Sequence, residues 1–331
     1  MKNRLTKRAM WLAMLGAFLC AASYTFAASA DAAHIEAEFV ARPDGSQIIY
    51  YLDRLGRHPA RKSLLVLIQG SDCNSVIYNP TIRRFANAYP EADRLMVEKY
   101  GIDEKLPYDL NVERSDCPAS YLDNDNPRQR VQDLDRVISK LVATEGYEKV
   151  VTIGGSEGAL IGNMLAARSA NINATVAING GGRWFLDDIL YNIDTSESPA
   201  EEKTVSKQGI RGLFRAISEN AKFNVAGSDH GQVWWKTVFA IDQQAELAAT
   251  TTPVLVIQGG IDKSVSPFAA NRLVDELRKS GHGNIEYQFY PELDHGLTNV
   301  EGVNQSAKVI GDIAEWLARV DKREHQKGSS N

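Results

Sequence analysis

The chain predicts an α/β domain built on a mostly parallel, doubly wound sheet of about eight strands. Short apolar runs such as Ser63–Ile68 and Val150–Ile153 read as buried central strands. Amphipathic helical patterns alternate with them, most clearly over Pro127–Thr144, and this rhythm is that of parallel βαβ units. With 331 residues, 44% of them apolar, one large core is within reach.

The first thirty residues lie outside that pattern. Lys2, Arg4, Lys7 and Arg8 form a basic start, Met10–Phe18 is apolar but too short to span a bilayer comfortably, and Ala28-Ser29-Ala30 is a small-x-small cleavage site. Residues 1–30 are therefore expected to be a secretory signal peptide, with the bacterial periplasm as destination; an uncleaved N-terminal anchor is the alternative. The segment carries those four basic residues and no acidic one, so its removal takes the formal net charge from −5 to −9. An acidic chain without a basic cluster has little attraction for nucleic acid or anionic lipid, and no stable membrane association is expected after cleavage.

Residues 36–41 and 47–52 alternate around Pro43-Asp44-Gly45 and read as an edge hairpin. Residues 63–68 form a buried strand ending in Gln69-Gly70-Ser71, a helix is expected over 81–89 and a strand over 94–98. The polar, proline-punctuated stretch 101–126 reads as a long loop over the sheet edge. Val131, Leu134, Val137, Ile138 and Leu141 mark the helix that begins at Pro127. A strand at 174–178 follows the one at 150–153. Residues 183–250 then break the rhythm and read as a helical cap inserted into the single domain 31–331. Most of its aromatic residues, Trp184, Phe185, Phe214, Trp234 and Trp235, are expected to glue the cap down. The sheet rhythm resumes with a strand at 253–258, a helix at 267–279, a strand at 285–290 and a terminal helix over 303–320. A charged, frayed tail is expected from Lys322.

Gly154-Gly155-Ser156-Glu157-Gly158 joins the strand at 150–153 to the helical pattern beginning at Ala159. This is the G-x-S-x-G pattern of a nucleophile elbow, in which the outer glycines let backbone segments approach closely. A serine needs a base, and the base an orienting acid. Of six histidines, His34, His58, His282 and His325 read as solvated, and His230 as a surface or substrate contact in the cap. His295 lies just beyond the last strand and is the candidate base. Asp262, on the loop after the preceding strand, is the candidate acid; Asp294, Asp187 and Asp188 are weaker alternatives. The oxyanion donors are expected from the backbone N–H of Glu157 and from Ser71, with Asp72 next. The Glu157 side chain needs no more than a favourable place in the first turn of a helix. Cys73 and Cys117 fall in loops at one sheet edge, and export would permit either a disulfide or two free thiols. No cofactor or metal motif is present, and none is expected.

Elbow, Asp262 loop and His295 loop, in that order, resemble the α/β-hydrolase superfamily over essentially the whole mature chain. The strand, G-x-x-D-x-x-V, helix, strand and D-H-G of residues 253–296 are similar to prolyl-oligopeptidase-type and dienelactone-hydrolase-type members. Where many relatives have His-Gly after the oxyanion strand, this chain has Gln69-Gly70. No propeller sequence precedes the domain, so the resemblance does not imply peptidase activity. The resemblance implies a cofactor-independent serine hydrolase acting on a small-molecule ester. A peptidase or amidase with the same triad is the alternative, a catalytically idle binding scaffold the alternative of another class, and lyase chemistry the remotest. The sequence does not set the oligomeric state.

Overall fold

The computed structural model describes residues 35–56, 62–110, 114–225 and 228–328. The expected signal peptide lies outside the described residues, as do His34, His58 and the side chain of His325. Among the described residues, no helix is long and apolar enough to cross a membrane.

Eight strands form one sheet: β1 (Ala37–Ala41), β2 (Gln47–Asp53), β3 (Ser63–Ile68), β4 (Asp93–Val97), β5 (Lys149–Gly155), β6 (Ala174–Ile178), β7 (Val254–Gly259) and β8 (Ile285–Tyr290). Their spatial order is β1-β2-β4-β3-β5-β6-β7-β8. β1 and β2 form the antiparallel hairpin, β2 runs antiparallel to β4, and every other pairing is parallel. This is the α/β-hydrolase arrangement that the resemblance implies.

The helices are α1 (Pro80–Arg84), α2 (Ala119–Asn124), α3 (Pro127–Glu145), α4 (Glu157–Ala166), α5 (Phe185–Thr195), α6 (Ala200–Ser218), α7 (Gln232–Phe239), α8 (Gln243–Ala249), α9 (Pro267–Lys279) and α10 (Ser306–Gly328). Alternate residues of the central strands feed two apolar cores. Leu64, Val66 and Ile68 pack on one face with Val131, Val137 and Ile138 of α3 and Ile161 and Leu165 of α4. Leu65, Leu67, Val151 and Ile153 face the other way, toward Val309, Ile313 and Trp316 of α10. Asn126 caps α3 by accepting from the Gln129 N–H, Pro127 opens the helix, and Gly146 closes it in the left-handed conformation.

Three segments differ from the sequence expectation. The helix expected at 81–89 is one α-helical turn continued as 3₁₀ over Phe85–Ala88. The stretch 101–126 is not all loop, because α2 forms in it with Tyr121 buried against Cys73 and Ile102. The tail does not fray at Lys322: α10 continues to Gly328, and Arg323 reaches Glu286 of β8 at 3.2 Å. Between β6 and β7 lie four helices. α5, α6 and α7 carry the aromatic cluster, whereas α8 packs beside α4 as an ordinary crossover helix.

Cys73 and Cys117 form a disulfide across 44 residues of sequence, with Cα atoms 5.9 Å apart. It ties the loop after β3 to the segment leading into α2. In the chain-entropy account a closed loop of that size stabilises by about 4 kcal/mol. The Cys73→Ser/Cys117→Ser protein is therefore expected to show a lower urea midpoint, with an m-value no smaller than the parent's because its unlinked denatured chain is less compact, and the oxidised parent to show no titratable thiol from either residue when denatured. Two reactive thiols, or an unchanged midpoint, would contradict this.

Candidate active site

The elbow is a consequence of two close approaches. A Cβ on Gly154 would lie 2.1 Å from the carbonyl oxygen of Gly158, and one on Gly158 would lie 2.2 Å from the Ile68 carbonyl oxygen. Both distances are far inside contact, so only glycine lets the first turn of α4 sit on the end of β3. Between them Ser156 takes φ 55° and ψ −126°, which an L-residue adopts only when its surroundings enforce it. Its N–H donates to the Ile178 carbonyl at 2.9 Å, tying the elbow to the end of β6.

The acid and base loops emerge at the same edge, after β7 and β8. His295 Nδ1 lies 2.8 Å from Asp262 Oδ2. Asp262 is fully buried. Its Oδ1 accepts from the Ser264 and Val265 N–H groups at 2.7 and 3.0 Å, and Oδ2 also accepts from Gln258 Nε2 at 3.2 Å. A carboxylate so held can only accept from the imidazole. Nδ1 therefore carries the proton and Nε2 is left as the basic nitrogen. Burial disfavours the imidazolium, but the facing Asp262 carboxylate outweighs it, and the His295 pKa is raised above its ordinary value.

Asn179 was not singled out by sequence, yet it joins the three loops. It is buried at the end of β6 with φ 51°; its Nδ2 donates to the His295 carbonyl at 2.9 Å, and its Oδ1 accepts from the Gly259 N–H at 2.9 Å. The residue before it, Ile178, accepts from Ser156. A single strand end thus carries both the Ser156 backbone and the His295 loop. The only signal in the sequence was an Asn directly after the apolar run 174–178, a residue type that tolerates the positive φ found here.

Of the other carboxylates, Asp294 and Asp188 have structural tasks, while Asp187 is exposed. Asp294 Oδ1 accepts from the Gly296 and Thr298 N–H groups and shapes the base loop. Asp188, buried on α5, accepts from the Ser266 N–H and the Gly182 N–H, each at 2.9 Å. Burial raises its pKa to about 7, and the neighbouring Asp262 adds to the effect. Tyr191 of α5 donates to the Asp262 carbonyl at 2.9 Å, so the inserted helices brace the acid loop from above.

On the other side of Ser156 lies the Gln69–Asp72 loop, where a Cβ on Gly70 would be 3.5 Å from Ser156 Cβ. Gly70, and Ser71 bonded to it, are therefore beside Ser156. The Asp72 side chain turns inward, accepting from Gln69 Nε2 at 2.8 Å and the Asn74 N–H at 3.0 Å. Burial works against its charge, but Lys99 and these donors hold its carboxyl below the usual range.

Two readings from the sequence need correction here. The Glu157 side chain does more than complement a helix dipole: it is buried, with Oε1 2.8 Å from Arg130 Nη1 and Oε2 accepting from Trp234 Nε1 at 2.9 Å. His230 is not a surface residue. It is 4% exposed, stacks on Trp234 with ring centroids 3.8 Å apart, and has Nδ1 3.1 Å from the Tyr121 hydroxyl. Among the cap aromatics, Trp234 and Trp235 are buried and pack with Phe185 and Phe239, while Trp184 stays exposed beneath Arg183. Among the described residues no group of His, Cys, Asp or Glu is placed to hold a metal ion.

Residues 141–299, from the end of α3 through the base loop, match the family described as BAAT / acyl-CoA thioester hydrolase C terminal. No curated protein sequence matches the chain. Solved structures with the same fold include the ferulic acid complex of Est1E from Butyrivibrio proteoclasticus, 14% identical, covering 86% of this chain and 99% of that one with a TM-score of 0.60. An esterase from Pyrococcus furiosus is 14% identical over 86% of this chain and 91% of its own, at a TM-score of 0.55. A puromycin-hydrolyzing peptidase from Mycobacterium tuberculosis is 16% identical over 87% of this chain but 40% of its own, at a TM-score of 0.57.

If Asp262 orients His295, Asp262→Asn is expected to lower kcat by about 10⁴-fold at neutral pH. Because a protonated His295 cannot accept the serine proton, kcat/KM of the parent should fall on acidification, with a midpoint above the ordinary histidine value of about 6.5. The residual activity of Asp262→Asn should lose that elevated limb. A pH–rate profile of both proteins checks each point.

Proposed function

We propose that this chain, a member of the α/β-hydrolase superfamily, is an exported serine carboxylesterase acting on small or medium esters. The observation that carries the reading is the His295–Asp262 pair at 2.8 Å, on the sheet edge where Ser156 sits in a strained elbow. Ser156 attacks the ester carbonyl while His295 Nε2 takes its proton. The tetrahedral oxyanion is met by the N–H of Glu157 and by the Ser71 or Asp72 N–H. Collapse expels the alcohol, which receives the proton from His295, and water activated by the same imidazole releases the acid. Export rests on the sequence of residues 1–30, and the Cys73–Cys117 disulfide supports it, since such bonds persist in oxidising compartments.

The esterase structures support ester chemistry, the family match supports attack on acyl groups in general, and the peptidase structure keeps the amidase alternative in the test. The mature protein is expected to react with a fluorophosphonate at Ser156 and to cleave p-nitrophenyl esters faster than acyl-CoA thioesters or aminoacyl-anilides. Absence of labelling would remove every serine-hydrolase reading and favour an idle scaffold. Cleavage of anilides alone would assign a peptidase, and preference for thioesters a thioesterase. Ser156→Ala should be folded and inert.

A further inference from the structure

We propose that Arg130, Tyr121 and Lys99 are positioning residues for the oxyanion hole, acting through the carbonyl groups of the loop after β3. The proposal rests on the serine-hydrolase reading above. Four consecutive carbonyls of that loop accept hydrogen bonds from these buried side chains. The Gln69 carbonyl accepts from Arg130 Nη2 at 2.8 Å and the Gly70 carbonyl from Arg130 Nη1 at 3.4 Å. The Ser71 carbonyl accepts from the Tyr121 hydroxyl at 3.0 Å, and the Asp72 carbonyl from Lys99 Nζ.

A trans peptide is planar, with its C=O and the following N–H pointing in opposite directions, and no peptide bond among the described residues is cis. Drawing the Gly70 and Ser71 carbonyls toward Arg130 and Tyr121 therefore turns the Ser71 and Asp72 N–H groups the other way. The loop that carries these N–H groups runs beside the elbow, since a Cβ on Gly70 would lie 3.5 Å from both Ser156 Cβ and the Gly155 carbonyl oxygen. Among the described residues neither N–H has an acceptor, as expected for donors reserved for substrate.

The same guanidinium sets the other donor. Arg130 Nη1 pairs with the side chain of Glu157, whose own N–H opens α4 next to Ser156, and Trp234 of α7 holds the second carboxylate oxygen. Arg130 thus fixes the distance between the two donor-bearing segments. Proton accounting extends the chain into the cap. The Tyr121 hydrogen is committed to the Ser71 carbonyl, so its oxygen accepts from His230 Nδ1–H, and His230 is clamped flat on Trp234. The cap helix α7 acts on the hole through these two contacts.

The test uses the mature, disulfide-bonded protein with Tyr121→Phe, which deletes one hydroxyl, and separately Arg130→Lys, which keeps the charge but loses the fork that spans two carbonyls and a carboxylate. Each is expected to lower kcat for p-nitrophenyl ester hydrolysis roughly 10- to 100-fold while changing KM less than about 2-fold. The affinity of a trifluoromethyl ketone, whose adduct with Ser156 places an oxyanion in the hole, should fall by the same factor as kcat. Lost packing alone would lower the melting temperature without that matched loss. Unchanged kcat and unchanged ketone affinity, or a rise in KM alone, would overturn the proposal. The two substitutions touch different carbonyls, so a folding defect in one leaves the other to decide. An active, labelled parent with an unaffected Tyr121→Phe sinks this proposal alone. A parent that neither labels nor turns over sinks the hydrolase reading and this one with it.

Discussion

The seating of the first turn of α4 on the end of β3 is the constraint from which the site follows. Gly158 removes the atom that would hold these segments apart, and Gly154 the one that would strike the carbonyl of Gly158 within the turn. The approach forces Ser156 into a positive-φ conformation that a serine would not otherwise take. It also brings the helix's leading N–H groups beside the loop that follows β3. In the proposed reaction a shift of either segment by an ångström would spoil the alignment of the donors and the hydroxyl on one carbonyl. The cost of the strained turn is offset by the apolar burial of Ile161, Met164 and Leu165 beneath it.

Convergence from the other side depends on backbone ties rather than on the reacting groups themselves. Asp262 and His295 sit on loops that have no regular structure to fix them. Asn179 supplies the missing order by bonding the β7 and β8 loops at once. Asp188 does the same from the inserted helices, fastening the Gly182 turn to the start of α9. Its carboxyl sits close enough to Asp262 for the two charges to interact, and its burial already favours protonation near neutrality. A rigid sheet with braced loops is what holds three residues, far apart in sequence, at one edge.

The sheet was legible from sequence because apolar runs bounded by turns leave little ambiguity, and β3, α9 and β8 begin and end where that pattern does. Ser156, Asp262 and His295 were legible because each lies directly after a strand, so their common edge follows from a parallel sheet. What escaped depends on partners distant in the chain. α2 has six residues, too few for periodicity, and forms because Tyr121 is packed between the disulfide and the β3 loop. The end of α10 is too polar to announce itself, and is held through Glu286 on β8. The Glu157 side chain had a sufficient local explanation at a helix N-terminus, whereas its ion-pair partner lies 27 residues upstream and its indole donor 77 downstream. His230 read as a surface or substrate contact because the Tyr121 hydroxyl that faces its Nδ1 lies 109 residues upstream.

Why that hidden layer is charged at all follows from counting carbonyls. Exchanging an isolated buried ion pair for apolar side chains is often neutral or stabilising, because two desolvation penalties vanish together. Such an exchange at Arg130 and Glu157 is different in kind. Arg130 also serves the Gln69 and Gly70 carbonyls, and an apolar replacement would strand both in the interior. A loop that aims its N–H groups outward at substrate must aim its carbonyls inward, and those carbonyls require buried donors. Buried donors with charge then require carboxylates. Burial opposes the charge on Glu157, but Arg130 keeps its carboxyl below the ordinary range. Asp125, near the same cations but without a hydrogen-bonding donor among the described residues, is pushed up to about 6 by burial. The ions around the loop are thus the internal counterpart of donors turned outward, and the segment between β6 and β7 supplies Trp234 to Glu157 and His230 to Tyr121.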